Sequence, residues 1–248
     1  MPDRPGAREI ASELRAAISD GTYAAGERLP ARRVLEGQYG VSSQTITAAI
    51  NTLRAEGLVE TLVGSGAYVR PHPPVMRVGR RRLSQVERDA GRGAALTDAY
   101  FCGWTLRAAT VVEIRRADDR VASALEVDPG SEVLVRDRVH YRDEQPYQLA
   151  TSYLPRDVTE GTPIEDENPG PGGIHQRLID AGHHLDRFVE SVRIGQASEH
   201  EAHQLRIPLG APIYRIERTA HTEVRPVEVN YITIIADHVQ LIYELPAT

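Results

Sequence analysis

The chain has 248 residues, 41% of them hydrophobic, which is enough apolar material for a core in each of two domains. Its apolar runs fall far short of the roughly 18 residues a membrane helix needs, and MPDRPGAREI contains no signal-peptide core, so the expectation is a soluble, cytoplasmic protein with no membrane partner. The net charge of −6 hides a gradient: all 29 basic residues are Arg, and residues 1–70 hold 8 of them against 8 acids, residues 71–92 hold 6 against Glu87 and Asp89, and the remainder holds 15 against 25. Any polyanion should therefore meet the N-terminal part, with the acidic bulk held away from it. The lone cysteine, Cys102, excludes an internal disulfide and a cysteine-based zinc site, and reads as a small buried hydrophobe rather than a nucleophile.

Ile10, Leu14, Ala17 and Ile18 recur at helical spacing between Arg8 and Asp20, with Gly21 as a stop, which predicts an amphipathic helix. GERLP reads as a turn fixed by Gly26 and Pro30, and Ala31 to Tyr39 as a short helix ended by Gly40. Ser42 is a good N-cap for a third helix whose apolar stripe is Ile46, Ala49, Ile50 and Leu53 and whose stop is Gly57. The opposite face carries Ser43, Gln44, Thr47 and Asn51; no carboxylate lies between Ser42 and Ala55 to repel a phosphate, and the amides of a helix N-terminus favour an anion. GLVETLVGSGAYVR then brings two short β-rich runs together at Gly64-Ser65-Gly66. Helix, short helix, turn, helix and glycine-tipped hairpin, in that order, predict a winged helix-turn-helix, and a tip poor in Cβ atoms lets backbone approach a phosphate or a minor groove.

From Arg8 to Val69 the chain resembles the DNA-binding domain of GntR-type bacterial transcription regulators, through G-x-x-L-P at Gly26 to Pro30, V-S-x-x-T-I at Val41 to Ile46, L-x-x-E-G-L at Leu53 to Leu58 and the G-x-G wing. The resemblance implies DNA contacts from Arg33, from Ser42, Ser43, Gln44, Thr45 and Thr47, and from Gly64, Ser65 and Gly66. The family often has Ser-Glu-Arg where Ala31-Arg32-Arg33 stands, and Arg at the positions of Ser43 and Thr47. Arginine is the commonest bidentate reader of guanine, so its loss at both positions implies a non-standard operator with Gln44 as an adenine reader.

RPHPPVMRVGRRRLSQVERDAGRGAAL has no sustained periodicity and reads as a linker over residues 71–95, in which Arg80-Arg81-Arg82 either touch phosphates or keep the segment soluble. Beyond it, a shift of 80 residues lays LEVDPGSEVLVRDRVHYRDEQPYQL, from Leu125, over LRIPLGAPIYRIERTAHTEVRPVEV, from Leu205, matching Gly130 to Gly210, Arg138 to Arg218 and Pro146 to Pro226. Two copies are too few for a solenoid, so they are expected to join edge to edge in one antiparallel sheet with helices on a face, leaving a cleft between the halves as the binding site.

This region, 96–248, is similar to the UTRA effector-binding domain of the HutC branch of the GntR family, which resembles chorismate lyase in fold. The overall expectation is an α+β chain, with a winged helix-turn-helix in residues 1–70 and an α/β UTRA-like domain built on a central antiparallel sheet. In that domain an Arg-x-Arg pair commonly holds the anionic group of the effector. Here it falls on Arg136 and Arg138, which period two places on one face with His140. On the residues alone the pair reads more readily as solvent-facing arginines of a half-exposed sheet. Tyr153 and Asp237 are weaker candidates; Ala150 stands where the family often has Glu, and Asp237 is all that survives of an Arg-x-Asp-Arg run.

His183-His184 and His200-Glu201-Ala202-His203 lack a third ligand set and the HExxH spacing, so no metal is expected; no nucleotide-binding or hydrolase motif appears, so no cofactor is expected either. The expected function is a ligand-responsive transcription repressor binding a two-fold DNA operator as a homodimer, with a small anionic effector and no enzymatic activity. Two alternatives are a DNA-binding regulator whose second domain only dimerises, and a chorismate lyase-like enzyme with a DNA-binding appendage, for which no base or nucleophile stands out.

Overall fold

The computed structural model describes residues 5–24, 26–62, 65–70 and 75–244, apart from the side chains of Ser19 and Leu62. The chain divides into two compact units, residues 1–74 and 75–248.

In the first unit, α1 (Ala7–Ser19), α2 (Arg32–Tyr39) and α3 (Ser43–Ala55) are followed by the hairpin β1 (Val59–Leu62) and β2 (Gly66–Val69). Ser42 caps α3 by accepting the Thr45 amide at 3.3 Å, and the apolar stripe of α3 closes on Ile10, Leu14, Leu29, Leu35, Val59 and Val69. The GERLP turn joins the hairpin as a third edge: Leu29 donates to Ala67 and Val69 to Glu27, at 2.8 Å each. The wing is therefore braced by the segment that precedes α2.

The second unit opens inside the stretch expected as a linker. Val75–Val78 forms β3, paired in parallel with β10 (Val239–Ile242), and α4 (Gly79–Arg82) and α5 (Gln85–Asp89) follow. The linker expectation fails here because this segment is fastened by remote pairing and buried charge, neither of which leaves a local hydrophobic period: Arg77 and Arg82 are both buried. After α6 (Ala94–Cys102) come β4 (Leu106–Arg116), α7 (Asp119–Leu125), β5 (Glu132–Arg142), β6 (Gln145–Pro155), α8 (Gly173–Asp180), β7 (Arg187–Gln196), α9 (Glu199–Leu205), β8 (Pro212–His221) and β9 (Pro226–Ile235).

The expected single antiparallel sheet has six strands, in the order β4-β5-β6-β9-β8-β7. The 80-residue shift is a structural symmetry. It relates β5 to β8, β6 to β9, α7 to α9 and α6 to α8, and the register break at His140/Tyr141 to the one at Ala220/His221. Thr151 pairs directly with Tyr231, its own counterpart (231 − 151 = 80), so the pseudo-two-fold axis passes through the β6–β9 pair. On one face, α7 and α9 pack over Val133, Val135, Val229 and Ile213. On the other, α6 closes over Ala150, Ile216 and Ile232, and α8 over Leu134, Leu154 and Val227.

The starts of α6 and α8 meet near the axis. A Cβ built on Gly93, the N-cap of α6, would lie 3.5 Å from the Gly172 carbonyl and 3.7 Å from the Gly173 Cα, both ordinary contacts, and Gly93 is extended at φ −73°. Gly172, the N-cap of α8, has φ +78° and no room: a Cβ there would fall 2.6 Å from the Gln176 Cβ. Gly172→Ala is therefore expected to cost about 1–3 kcal/mol, whereas Gly93→Ala stays within about 0.5 kcal/mol of wild type; urea unfolding of the full chain compares the two.

Candidate functional site

The exposed face of α3 presents Ser43, Gln44, Thr47 and Asn51, as its periodicity requires. Three of the expected contact hydroxyls already serve the helix: Ser42 accepts from the Thr45 amide, Ser42 and Thr45 lie 3.0 Å apart, and Thr47 donates to the Ser43 carbonyl at 2.9 Å. Gln44 is exposed, with both ends of its amide available to a base edge. Arg33 is exposed in the first turn of α2. In the wing, Ser65 and Tyr68 share a 2.6 Å hydroxyl hydrogen bond, and Gly66 has φ +114°. Gly64 lies outside the described residues. Thr47 and Gly66 line one groove; Arg33, Ser42, Ser43, Gln44, Thr45 and Ser65 do not.

In the second unit a cavity of about 390 Å³ lies between the sheet and the starts of α6 and α8. Its floor carries Arg136, Arg138 and His140 of β5, Gln148 and Ala150 of β6, Arg218 of β8 and Asn230 of β9; its roof carries Ala94, Ala95 and Leu96 of α6, Gly173, Ile174 and His175 of α8, and the loop Glu167–Gly170. Four arginines, Arg82, Arg136, Arg138 and Arg218, face one lining carboxylate, Glu167. Neither helix has a side-chain cap, so the amides of two first turns meet the cavity without a side-chain acceptor.

The floor is pinned by a buried carboxylate. Glu228 accepts from Ser152 at 2.5 Å and from His175 Nε2 at 2.7 Å, with the Arg218 guanidinium 3.8 Å away; Arg138 in turn donates to Ser152. Burial alone would raise the Glu228 carboxyl, but His175, Arg218 and Arg138 together hold it well below the usual carboxylate range. Burial also lowers His175, outweighing Glu228, so a neutral imidazole donates this bond. The Arg138 guanidinium is brought down to about 10 by burial and the neighbouring arginines, Glu228 opposing, and remains charged at neutral pH. His140, bonded through Nδ1 to the Gln148 amide at 2.6 Å, is pushed down to about 3 by burial and by Arg138, Arg82 and Arg77.

The expected effector residues divide. Arg136 and Arg138 line the cavity, but the Arg136 guanidinium is spent on the carbonyls of Ile164, Asp166 and Glu167, where it fastens the loop rather than reaching a ligand. Tyr153 is on the wrong face: it packs with Tyr231 and Val121 on the α7 side. The cause is the register break near the hairpin. Tyr141 pairs with Pro146 but His140 with Gln148, so one extra residue, Tyr147, slips into β6 and sends every later side chain to the opposite face. Asp237 is exposed in a 3₁₀ turn (Ala236–His238) and does not line the cavity. Sequence reasoning missed Arg218, although the repeat had laid it over Arg138, and it missed Arg82, Glu228 and His175, which no local pattern marks.

A winged helix-turn-helix joined to a sheet domain with a cationic cavity defines a ligand-responsive DNA-binding transcription regulator. Residues 7–69 match the gntR family of bacterial regulatory proteins and residues 109–240 match the UTRA domain, and the chain belongs to the GntR family, in its HutC branch. It is 33% identical over 229 residues to an uncharacterized HTH-type transcriptional regulator of Streptomyces coelicolor, covering 89% of this chain and 85% of that one. It is 30% identical over 155 residues to the histidine utilization repressor of Klebsiella aerogenes (59% and 60% covered) and 28% identical over 155 residues to the mannosyl-D-glycerate transport/metabolism system repressor of Escherichia coli (62% and 60%). The fold matches that of PhnF from Mycobacterium smegmatis at a TM-score of 0.65 and 22% identity, covering 96% of this chain and 100% of that one. The family and these relatives are transcription regulators, not enzymes.

The depressed His140 imposes a pH dependence. Its folded value of about 3 lies below the ordinary 6.5, so the unfolded chain binds the extra proton first; the stability His140 contributes is complete above pH 6.5 and is lost as pH falls toward 3. The thermal midpoint should fall from pH 7 to 4.5, and His140→Gln, which keeps a hydrogen-bonding partner for Gln148, should flatten that fall.

Proposed function

We propose that the protein is a transcription repressor that binds a two-fold operator as a homodimer in the cytoplasm and is released by an anionic metabolite seated between the starts of α6 and α8. The observation that carries this reading is the convergence of two uncapped helix N-termini over Arg138 and Arg218, in one cavity of about 390 Å³. Aligned backbone amides and forked guanidiniums are complementary to a phosphate or carboxylate group. The two named repressors among the relatives support the sign of regulation, and one short reading helix covers only a half-site, which favours a dimer. On this reading Arg33, Ser42, Ser43, Gln44, Thr45, Thr47 and the wing at Gly64, Ser65 and Gly66 meet the operator. Arg138 and Arg218 meet the effector, with Arg136 holding the loop beside it.

Arg82 connects the cavity to the segment that follows the DNA-binding unit. It lines the cavity and donates to Asp98 of α6 at 3.1 and 3.2 Å. An anion at the first turn of α6 therefore acts on the partner of Asp98, and so on the setting of α4 and β3.

A second reading, in which the cavity only stabilises a dimerisation domain, draws on the pairing of Arg138 and Arg218 with the Glu228 network. Gly93→Asp separates the two. A carboxylate at that N-cap satisfies the free amides of α6 and occupies the anion position, without loss of stability. Under the effector reading, a ligand from a panel of phosphorylated and carboxylated metabolites raises the wild-type melting temperature, by about 2.7 kcal/mol equivalent at a hundredfold excess over Kd, and releases DNA in a mobility-shift assay; the variant binds DNA but gives neither response. Equal responses from both proteins would remove the effector from this position.

A further inference from the structure

A groove in the first unit joins Thr47 to Gly66. It has a volume of about 430 Å³ and lies between α3, the start of α2 and the wing, with Arg28, Arg32 and Arg54 around an apolar bed that includes Leu35 and Ile50. No carboxylate lines it. Each arginine comes from a different element. Arg28 belongs to the braced edge beside β2, where it bridges Tyr68; Arg32 begins α2; Arg54 lies in the last turn of α3. Arg28 and Arg54 have no hydrogen-bond or ion-pair partner among the described residues, and Arg32 has only an exposed contact with Glu36 at 3.7 Å.

One of these cations lies against the wing. A Cβ on Gly66 would stand 2.9 Å from the Arg28 Nε and 3.1 Å from its Nη2, so the guanidinium lies close to the wing at a residue whose φ of +114° itself favours glycine. Three cations converging from different elements, two of them without a partner among the described residues, are complementary to a polyanion.

We infer that the groove seats the sugar–phosphate strand that runs between the two DNA grooves the unit enters, with Arg28 and Arg54 on consecutive phosphates and Arg32 at the rim. The inference rests on the DNA-binding reading and adds geometry to it. A helix in the major groove and a wing in the neighbouring minor groove stand on either side of one backbone ridge, which must pass through the space between them. These contacts position the unit and carry no sequence information.

The test titrates full-length wild type, Arg28→Ala, Arg54→Ala and Arg28→Lys against two duplexes about three helical turns long, one carrying a site enriched from random DNA and one of unrelated sequence, over a range of salt concentrations. Each alanine variant should weaken binding to both duplexes by the same factor and reduce the slope of log K against log salt by about 1.8, about 0.9 for each protomer of the dimer, while Arg28→Lys retains the slope. Both positions are exposed, so an unchanged melting temperature confirms that folding is intact. Unaltered slopes in folded alanine variants would overturn the assignment and leave the groove to a protein or small-molecule partner. A loss confined to the enriched site would overturn it in favour of base reading. If wild type bound neither duplex, the DNA-binding reading would fall first and this assignment with it.

Discussion

The second unit depends on a carboxylate that has no access to water. Glu228 is 0% exposed, and an ion of that size costs several kcal/mol to bury unless its lone pairs are met. They are met from four other elements: Ser152 on β6, His175 on α8, Arg218 on β8 and, through Ser152, Arg138 on β5. One charge thus ties side chains of β6, β8 and β9 together at the sheet centre and fastens α8 over them. The cost of burying Glu228 is offset only when all of these elements are in place, so the same network that builds the cavity floor also specifies the position of its roof. The arginines left facing the cavity are a consequence, because they are held there by a charge behind them rather than by the cavity itself.

The internal repeat supplies the symmetry, and a few exchanges across it supply the site. Arg138 and Arg218 are equivalent, as are the helix starts at α6 and α8, so the cavity receives two cations and two helix N-termini without side-chain caps, one of each from either half. Elsewhere the halves diverge: Gln148 stands opposite Glu228, Arg136 opposite Ile216 and His140 opposite Ala220. Each exchange puts the polar group on the β5–β6 side except Glu228, which lies on the β9 side and draws the arginines of both halves to itself. A symmetric scaffold thereby becomes a cavity with two chemically different ends.

How much of this was legible in the sequence follows from the range of each interaction. The winged helix-turn-helix was readable because its signals are local: the Ser42 cap, the Ile46 to Leu53 stripe, and the glycines of the turns and wing. The six-stranded sheet was readable because two copies of one pattern had to be satisfied by one solution. Tyr153, taken from the resemblance, lies on the α7 face because the bulge at Tyr147 shifts the alternation of β6, and Tyr147 looks like any strand residue in the sequence. The linker was misread for a different reason. Arg80-Arg81-Arg82 has the composition of a solvated segment, yet Arg82 is buried on Asp98 and Arg81 stacks over Phe101, with 4.3 Å from its guanidinium carbon to the ring centroid. Burial of an arginine is decided by a partner that composition does not reveal.

That partner also explains how a small anion can have a large effect on the proposed reading. A ligand shifts an equilibrium only by its differential affinity for the two states, so the proposed effector needs a group that the ligand and the segment following the DNA-binding unit both require. Arg82 is such a group. Asp98 is buried between Arg82 and Arg77, its carboxyl raised by burial even with both cations beside it, and all three Arg77 side-chain nitrogens lack a hydrogen bond. On the proposed reading, negative charge at the start of α6 competes with Asp98 and Glu190 for Arg82, at the expense of the bonds that hold α4 to Asp98. Charges in such a dry setting interact far more strongly than they would at the surface, which is why the proposed reading routes the effector through Arg82.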